Sequence, residues 1–436
     1  MRPPASRTSL WRYSVVLAVM LAMFEPAAQA QERGVIDLKS ARELYVRTIN
    51  NEEVRELIGN VHFVDRAPER EPVSLWCDRA LRYMQQNRIE LFGHVRIVRD
   101  TTVLTADRGE YIGSRDVARV NENVTLRRGD VTLTSRTGEY EMDAKRIRFA
   151  GSVCIVDSVS STWCDSLVYL EDEAVSIGVG HVRAVQARDN TTVYGDSLIH
   201  YERQKLSIVP LNPRLVQIDT SAAGVVDTLV VVSRVMHARQ DSTREFLAID
   251  SVLMARTDLS AECGEARFRR NENLIIMRTK PFVWYGENQV SGDSMEIRLQ
   301  HNRLRSVHVV GRAVAVSRSD SSFANRFDQL TGRELTMYFQ GEKLERILVE
   351  KTATSLYYLF DNGKPNGANE SSGDRIAIEF TDGAAGHIRV AGGVQGQYYP
   401  ENMIRAREKE YNLDGFRWES VRPHRSGLRI VWETYD

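Results

Sequence analysis

A fixed internal interval constrains this chain more than any other feature. A tile that opens on a small residue, usually followed by Asp, begins at Cys77, Ala106, Ser135, Cys164 and Gly195, spaced 29, 29, 29 and 31 residues apart. A second tile runs out of phase with the first. It reads Gly93-His94-Val95, Glu122-Asn123-Val124, Gly151-Ser152-Val153 and Gly180-His181-Val182, with an earlier copy at Gly59-Asn60-Val61. A period of this size marks a repeat architecture, in which each unit buries its apolar face against its neighbours.

The unit is made of strands. Ile89, Leu91, Gly93, Val95 and Ile97 alternate with polar or bulky residues. So do Ala118, Val120, Glu122, Val124 and Leu126, and then Ile147, Phe149, Gly151, Val153 and Ile155. Alternation with period 2 puts one face in and one face out. Turn-like clusters such as Asp100-Thr101-Thr102 and Arg128-Gly129-Asp130 separate the runs, so each unit is a hairpin. A mid-strand glycine marks a bend or a close backbone approach. Gly93, Gly151 and Gly180 are expected to leave the inner face bare and to fold each strand across its middle. The product is an apolar trough, lined by Leu91, Val95, Ile97, Val120, Val124, Leu126, Phe149, Val153 and Ile155.

Residues 1–30 read as an export signal. Arg2, Arg7 and Arg12 precede an apolar run from Tyr13 to Phe24, and Ala28-Gln29-Ala30 is a small-x-small cleavage site, with cleavage expected after Ala30. Residues 31–219 hold the regular repeats, with an entry region up to about 76. Residues 220–400 continue them less regularly, through tiles such as Ala261 to Glu265 and Gly292-Asp293-Ser294. Residues 401–436 are expected to be a tail or cap. The polar stretch Asp361 to Gly373 reads as a loop, and a short helix is expected near Asn402 to Glu410. An edge strand is expected near Val61 to Phe63, open to pairing with another chain.

Charged residues make up 27% of the chain, yet the net charge is −1, so no global field draws it to nucleic acid. Of four cysteines, Cys154 and Cys164 flank the turn around Val159. They would face each other in a symmetric hairpin, which makes them a disulfide candidate. Gly195-Asp196-Ser197-Leu198 spells a serine-esterase motif but is also the fifth tile, in register with Cys164-Asp165-Ser166-Leu167. The nine histidines are scattered without metal-ligand spacing. No catalytic residue, metal or cofactor is expected. The recurring Asp78, Asp107, Asp165, Asp196 and Asp293 fit either a calcium or catalytic column or local hydrogen bonds that fix each bend. Tyr111, Tyr140 and Tyr169 share one repeat position, as a stacked ladder or as the rim of a lipid groove.

The small-Asp-x-(Ala/Gly)-x-Tyr tile, alternating with Gly-x-Val strands behind a signal, resembles the OstA/LptA-type lipopolysaccharide transport family and its stand-alone OstA-like members. The resemblance is specific over about Leu57 to Val209. It implies an all-β open jelly roll of stacked, bent antiparallel strands, and a periplasmic, non-enzymatic protein. That protein would conduct lipopolysaccharide or a related lipid from inner to outer membrane. It would meet other transport components through its edge strands, which could also join its own copies head to tail. Two alternatives remain: a structural envelope repeat protein with a filled core, and an enzyme on a parallel β-helix acting on polysaccharide.

Overall fold

The computed structural model describes residues 35–428 apart from short segments at 67–71, 113–114, 116, 142–143, 188–189, 221–225, 258, 301–302, 321, 342 and 382–383. The expected signal and its cleavage site lie outside the described residues. The chain forms two compact units, residues 1–211 and 212–436. Both are antiparallel β, and no helix among the described residues is long and apolar enough to cross a membrane.

Unit 1 begins with β1 (Val35–Ser40), β2 (Glu43–Ile49), β3 (Glu52–Arg66), β4 (Val73–Tyr83), β5 (Arg88–Arg99) and β6 (Thr102–Ile112). It continues through β7 (Val117–Arg128), β8 (Val131–Glu141), β9 (Arg146–Val156), β10 (Ser160–Leu170), β11 (Val175–Gln186), β12 (Thr191–Tyr201) and β13 (Leu206–Val209). From β3 to β12 each strand pairs with the next in the sequence. The 29-residue period is therefore one hairpin, as the tiles imply.

Every long strand is bent at its middle, where the register shifts and two residues face one. Opposite Asp107, for example, Phe92 pairs with Arg108 and Val95 with Ala106, leaving Gly93 and His94 as the extra pair. Both residues of that pair have positive φ, 72° and 43°, and the same doublet recurs at Gly59/Asn60, Glu122/Asn123, Gly151/Ser152 and Gly180/His181. Such a bulge sharpens the local bend. The first arm of β5 runs to the corner and the second leaves it. β3, β5, β7, β9 and β11 are doublet strands, and the strands between them are single strands with one residue at the corner.

The corner reverses one expectation. The glycines do not leave a gap on the inner face. A Cβ on Gly93 would come 2.3 Å from Asp78 Oδ2, and one on Gly180 2.2 Å from Asp165 Oδ2. Both carboxylates are about 60% exposed, so the missing side chain faces the outer corner. The inner face skips the doublet and passes from Leu91 to Val95, from Val120 to Val124 and from Phe149 to Val153, all buried. Single strands cross the corner in three residues instead of four, from Cys77 to Ala80 and from Ala106 to Gly109.

The edge is corrected too. Val61 and Phe63 are buried, and β3 pairs on both sides. Among the described residues, the N-terminal edge is β1 with β2, the two halves of one bent strand, pairing with the two arms of β3. Leu44 and Val46 on this edge are 56% and 63% exposed.

Unit 2 comprises β14 (Arg214–Thr220), β15 (Val226–Val232), β16 (Val235–Arg239), β17 (Glu245–Ala255), β18 (Leu259–Arg269), β19 (Leu274–Arg278), β20 (Phe282–Tyr285) and β21 (Asn288–Ser291). Then follow β22 (Ser294–Gln300), β23 (Arg303–Arg318), β24 (Phe327–Gln340), β25 (Lys343–Asp361), β26 (Lys364–Thr381), β27 (Ala384–Ala391) and β28 (Gln395–Tyr399). Corner doublets recur at Asp250/Ser251, Gly311/Arg312, Lys351/Thr352 and Gly392/Gly393. Val309, Leu335, Val349 and Ile376 form a fully buried inner row. The loop expected at Asp361 to Gly373 is instead a hairpin between β25 and β26, turned at Asn362-Gly363 with φ of 47° and 75°. Two left-handed residues are what a tight hairpin turn requires, and Asn-Gly supplies them.

Beyond β28 comes a one-turn helix, Glu401–Ile404, then an irregular strap reaching Leu428. The strap packs on one outer face of unit 2, with Ile404 beside Leu356 and Tyr358, Phe416 and Trp418 beside Val314 and Phe327, and Leu428 beside Val230 and Ala255.

Candidate functional site

Four inner rows of unit 1 run from strand to strand across the hairpins. One row beside the corner reads Leu91, Gly109, Val120, Gly138, Phe149 and Leu167, large and small in turn as far as Phe149. Its small members are small for a reason: a Cβ on Gly138 would lie 3.0 Å from Val120 and 3.2 Å from Phe149. Across the corner, Val95 pairs with Ala106, Val124 with Ser135 and Val153 with Cys164. The first residue of each tile is thus small because it fits between valines at the inside of a bend.

A third row is aliphatic: Ile97, Leu104, Leu126, Leu133 and Ile155. The fourth alternates Tyr111, Tyr140 and Tyr169 with Ala118 and Ile147. The tyrosines are therefore not a stacked ladder; two strand spacings, about 9.6 Å, separate neighbours. All nine residues expected to line a trough belong to the core of unit 1. Seven of them are buried, Val95 and Val153 completely, and Ile97 and Ile155 pack partly buried against the same core. Residues of both arms are closed off from solvent within the same apolar cores.

Polar groups mark the rims of this interior. At the outer corner, Asp78 Oδ2 lies 2.8 Å from His94 Nδ1, Asp165 Oδ2 lies 2.7 Å from His181 Nδ1, and Asn123 donates to Asp107 at 2.6 Å. Each of these aspartates is engaged with the doublet of the next strand. Successive tiles stand two strand spacings apart, about 9.6 Å, too far to share a cation bound at about 2.3–2.6 Å. Local hydrogen bonding engages Asp78, Asp107 and Asp165. At the other rim, Tyr140 donates to buried Glu171 at 3.5 Å and Tyr169 to Glu202 at 3.4 Å. Burial pushes the Glu171 carboxyl up to about 7, against the lowering effect of the Tyr140 bond and Lys145. Burial also acts on Glu52, but bonds from the Gln85 and Gln86 main chain and the Gln86 side chain outweigh it and hold its carboxyl low.

The disulfide expectation is corrected. Cys154 stands opposite Trp163 and Cys164 opposite Val153, one position out of register, and both are free thiols. Burial pushes Cys77 up to about 12 and Cys164 up to about 11. They serve as small core residues. Ser197 of the esterase-like tile sits mid-strand opposite Val179, without the strand-to-helix turn that such a nucleophile needs.

Comparison with known proteins reaches the same segment. Residues 33–159 match the family model described as OstA-like protein. These residues form an OstA-like segment. No curated protein matches the chain. Among solved structures, the chain is similar to LptH from Pseudomonas aeruginosa, the LptA homologous periplasmic component of that organism's conserved lipopolysaccharide transport device. Identity is 12%, the match covers 33% of this chain and 95% of LptH, and the TM-score is 0.26. The OstA-like segment spans β1 to β9 and holds all nine candidate lining residues.

Proposed function

We propose that the OstA-like segment carries lipopolysaccharide or a related envelope lipid along its inner face, from inner to outer membrane. The protein would be a periplasmic one, exported behind a leader cleaved after Ala30. The observation that carries this reading is the continuity of the inner rows: apolar side chains follow one another across the stack. Each buried methylene contributes about 0.8 kcal/mol, so a chain of about a dozen carbons costs roughly 10 kcal/mol to expose. An uninterrupted apolar path removes most of that cost at each step. Residues 31–219 would be the conducting part and residues 220–400 its extension.

The closed arms set a condition. Loading requires them to part about the corner doublets, exchanging contacts between arms for contacts with acyl chains. Photo-reactive residues at Val124 and Phe149 test this in cells. A lipid adduct at both is expected, and bound lipid should be extractable from purified protein. Adducts at neither, with no lipid recovered, would overturn the reading. That outcome would favour a structural repeat protein with a filled core, the reading supported by the near-zero exposure of Val95, Val124 and Val153.

Assembly through the edges belongs to the same proposal. The N-terminal edge, β1 with β2, is a single strand with Arg42 at its corner, where Arg42 N–H donates to the Ile58 and Gly59 carbonyls at 3.0 and 2.9 Å. The C-terminal edge, β27 with β28, carries the doublet Gly392-Gly393, and Ile388 and Tyr398 on it are 53% and 47% exposed. Doublet and single strands alternate within unit 1. The C-terminal edge of one copy against the N-terminal edge of the next continues that alternation, antiparallel and arm to matching arm. An edge paired with its own kind would place like corners together and swap the arms. Val46→Lys and Ile388→Lys chains should each lose self-association and, when mixed, stop at pairs. Long assemblies from either variant would refute head-to-tail growth.

A further inference from the structure

Residues 401–428 of unit 2 join no sheet, yet they are held along a straight line of side chains. Cross-strand pairing sets that line on one outer face, through Ser260, Trp284, Gln289, Val316, Gln329 and Leu356 on six neighbouring strands. Two of these are glutamines buried to within 4% and 1% of full enclosure. Gln289 uses both ends of its amide on one residue: it accepts from Glu419 N–H at 2.9 Å and donates to the Glu419 carbonyl at 2.8 Å. Gln329 accepts from Leu413 N–H at 2.8 Å and donates to Asn412 Oδ1 at 2.6 Å. Trp284 Nε1 donates to the same Glu419 carbonyl at 3.0 Å, and Ser260 to the Pro423 carbonyl at 2.7 Å.

All but one of these bonds go to main-chain atoms of the strap, so they recognise a main chain with little regard to its sequence. Selectivity comes from two aromatic anchors, Phe416 and Trp418, whose rings lie 5.5 and 4.6 Å from that of Phe327. At the start of the strap, buried Arg326 grips Glu401 with two bonds, 2.7 and 3.0 Å. Without an occupant, these amides would turn to water and the apolar face at Val314, Val316 and Phe327 would be uncovered.

We propose that this row is a docking surface for an irregular peptide segment held through its main chain, and that residues 401–428 are its resident, displaceable occupant. The occupant has no backbone ladder to unzip, and its grip is spread over separate side-chain bonds. The inference does not depend on the lipid reading.

The test uses the full chain. Phe416→Ala/Trp418→Ala loosens the strap and leaves the row intact. A fluorescent synthetic peptide of residues 401–428 should then bind the variant saturably, about tenfold or more tighter than it binds the parent, whose row is occupied. Adding Gln289→Ala/Gln329→Ala should abolish that binding. Hydrogen exchange over residues 304–309 and 334–338 checks that unit 2 stays folded, and Trp418→Ala alone is the milder arm if it does not. Equal binding to parent and variant, no binding to a folded variant with a loosened strap, a strap that stays protected in the variant, or binding that survives the glutamine changes would each overturn the proposal.

Discussion

Gly93 shows how much one missing carbon decides. Its φ of 72° is open to glycine at low cost, and any Cβ would strike the Asp78 carboxylate. Gly93→Ala should lower stability by roughly 1–3 kcal/mol in chemical denaturation. Gly129→Ala also sits at positive φ but meets no atom within 4 Å, and should lose less. The cysteines give a second expectation at this scale. Cys77, Cys164 and Cys263 are buried, with thiols pushed up to about 12, about 11 and about 12, so near neutral pH they should resist maleimide until the protein is unfolded. Half-buried Cys154 should react first, and mass mapping of the labelled native protein reads the order. The sequence pattern located the inner residues because Val, Leu and Phe recur with period 2. It could not place the glycines, because the four-residue step from Leu91 to Val95 keeps that count and makes Gly93 read as one more inner position. The contact of glycine with aspartate across strands is visible only in three dimensions.

In the hairpin β10–β11, the rim carboxylate Glu171 couples the fold to pH. Its folded form holds a proton up to about 7, whereas an unfolded glutamate releases it near 4.5. Between these values the folded chain binds more protons than the unfolded one, so stability falls as pH rises through this window. Denaturation midpoints should drop from pH 5 to pH 8, and Glu171→Gln should flatten the difference. Neutral Gln keeps the site uncharged at both values. Hairpins were the most legible elements in the sequence, since each tile is one. The Asn362-Gly363 turn was equally readable in principle, but the polar residues around it resembled a loop. The strap was not legible: its partners Gln289 and Gln329 are ordinary strand residues until the chain returns, more than 80 residues later for Gln329, to cover them.

At the scale of the whole chain, the resemblance to OstA-like proteins rests on residues 33–159, the most regular tiles. Gly138→Leu tests the interior there. It would press on Val120 and Phe149 and should destabilise unit 1 by about 1–3 kcal/mol through overpacking. If acyl chains enter between the arms, the same change should also reduce adduct formation at Phe149. A fall in stability with undiminished adducts would separate the packed interior from the lipid path.

Because each two-strand unit of the first array leans only on those beside it, whole units are interchangeable parts. Excising one 29-residue period would shorten the stack by about 10 Å and bring equivalent corners together again. The length of the stack is therefore counted in integers, and evolution or an engineer can change it by copying or deleting a tile.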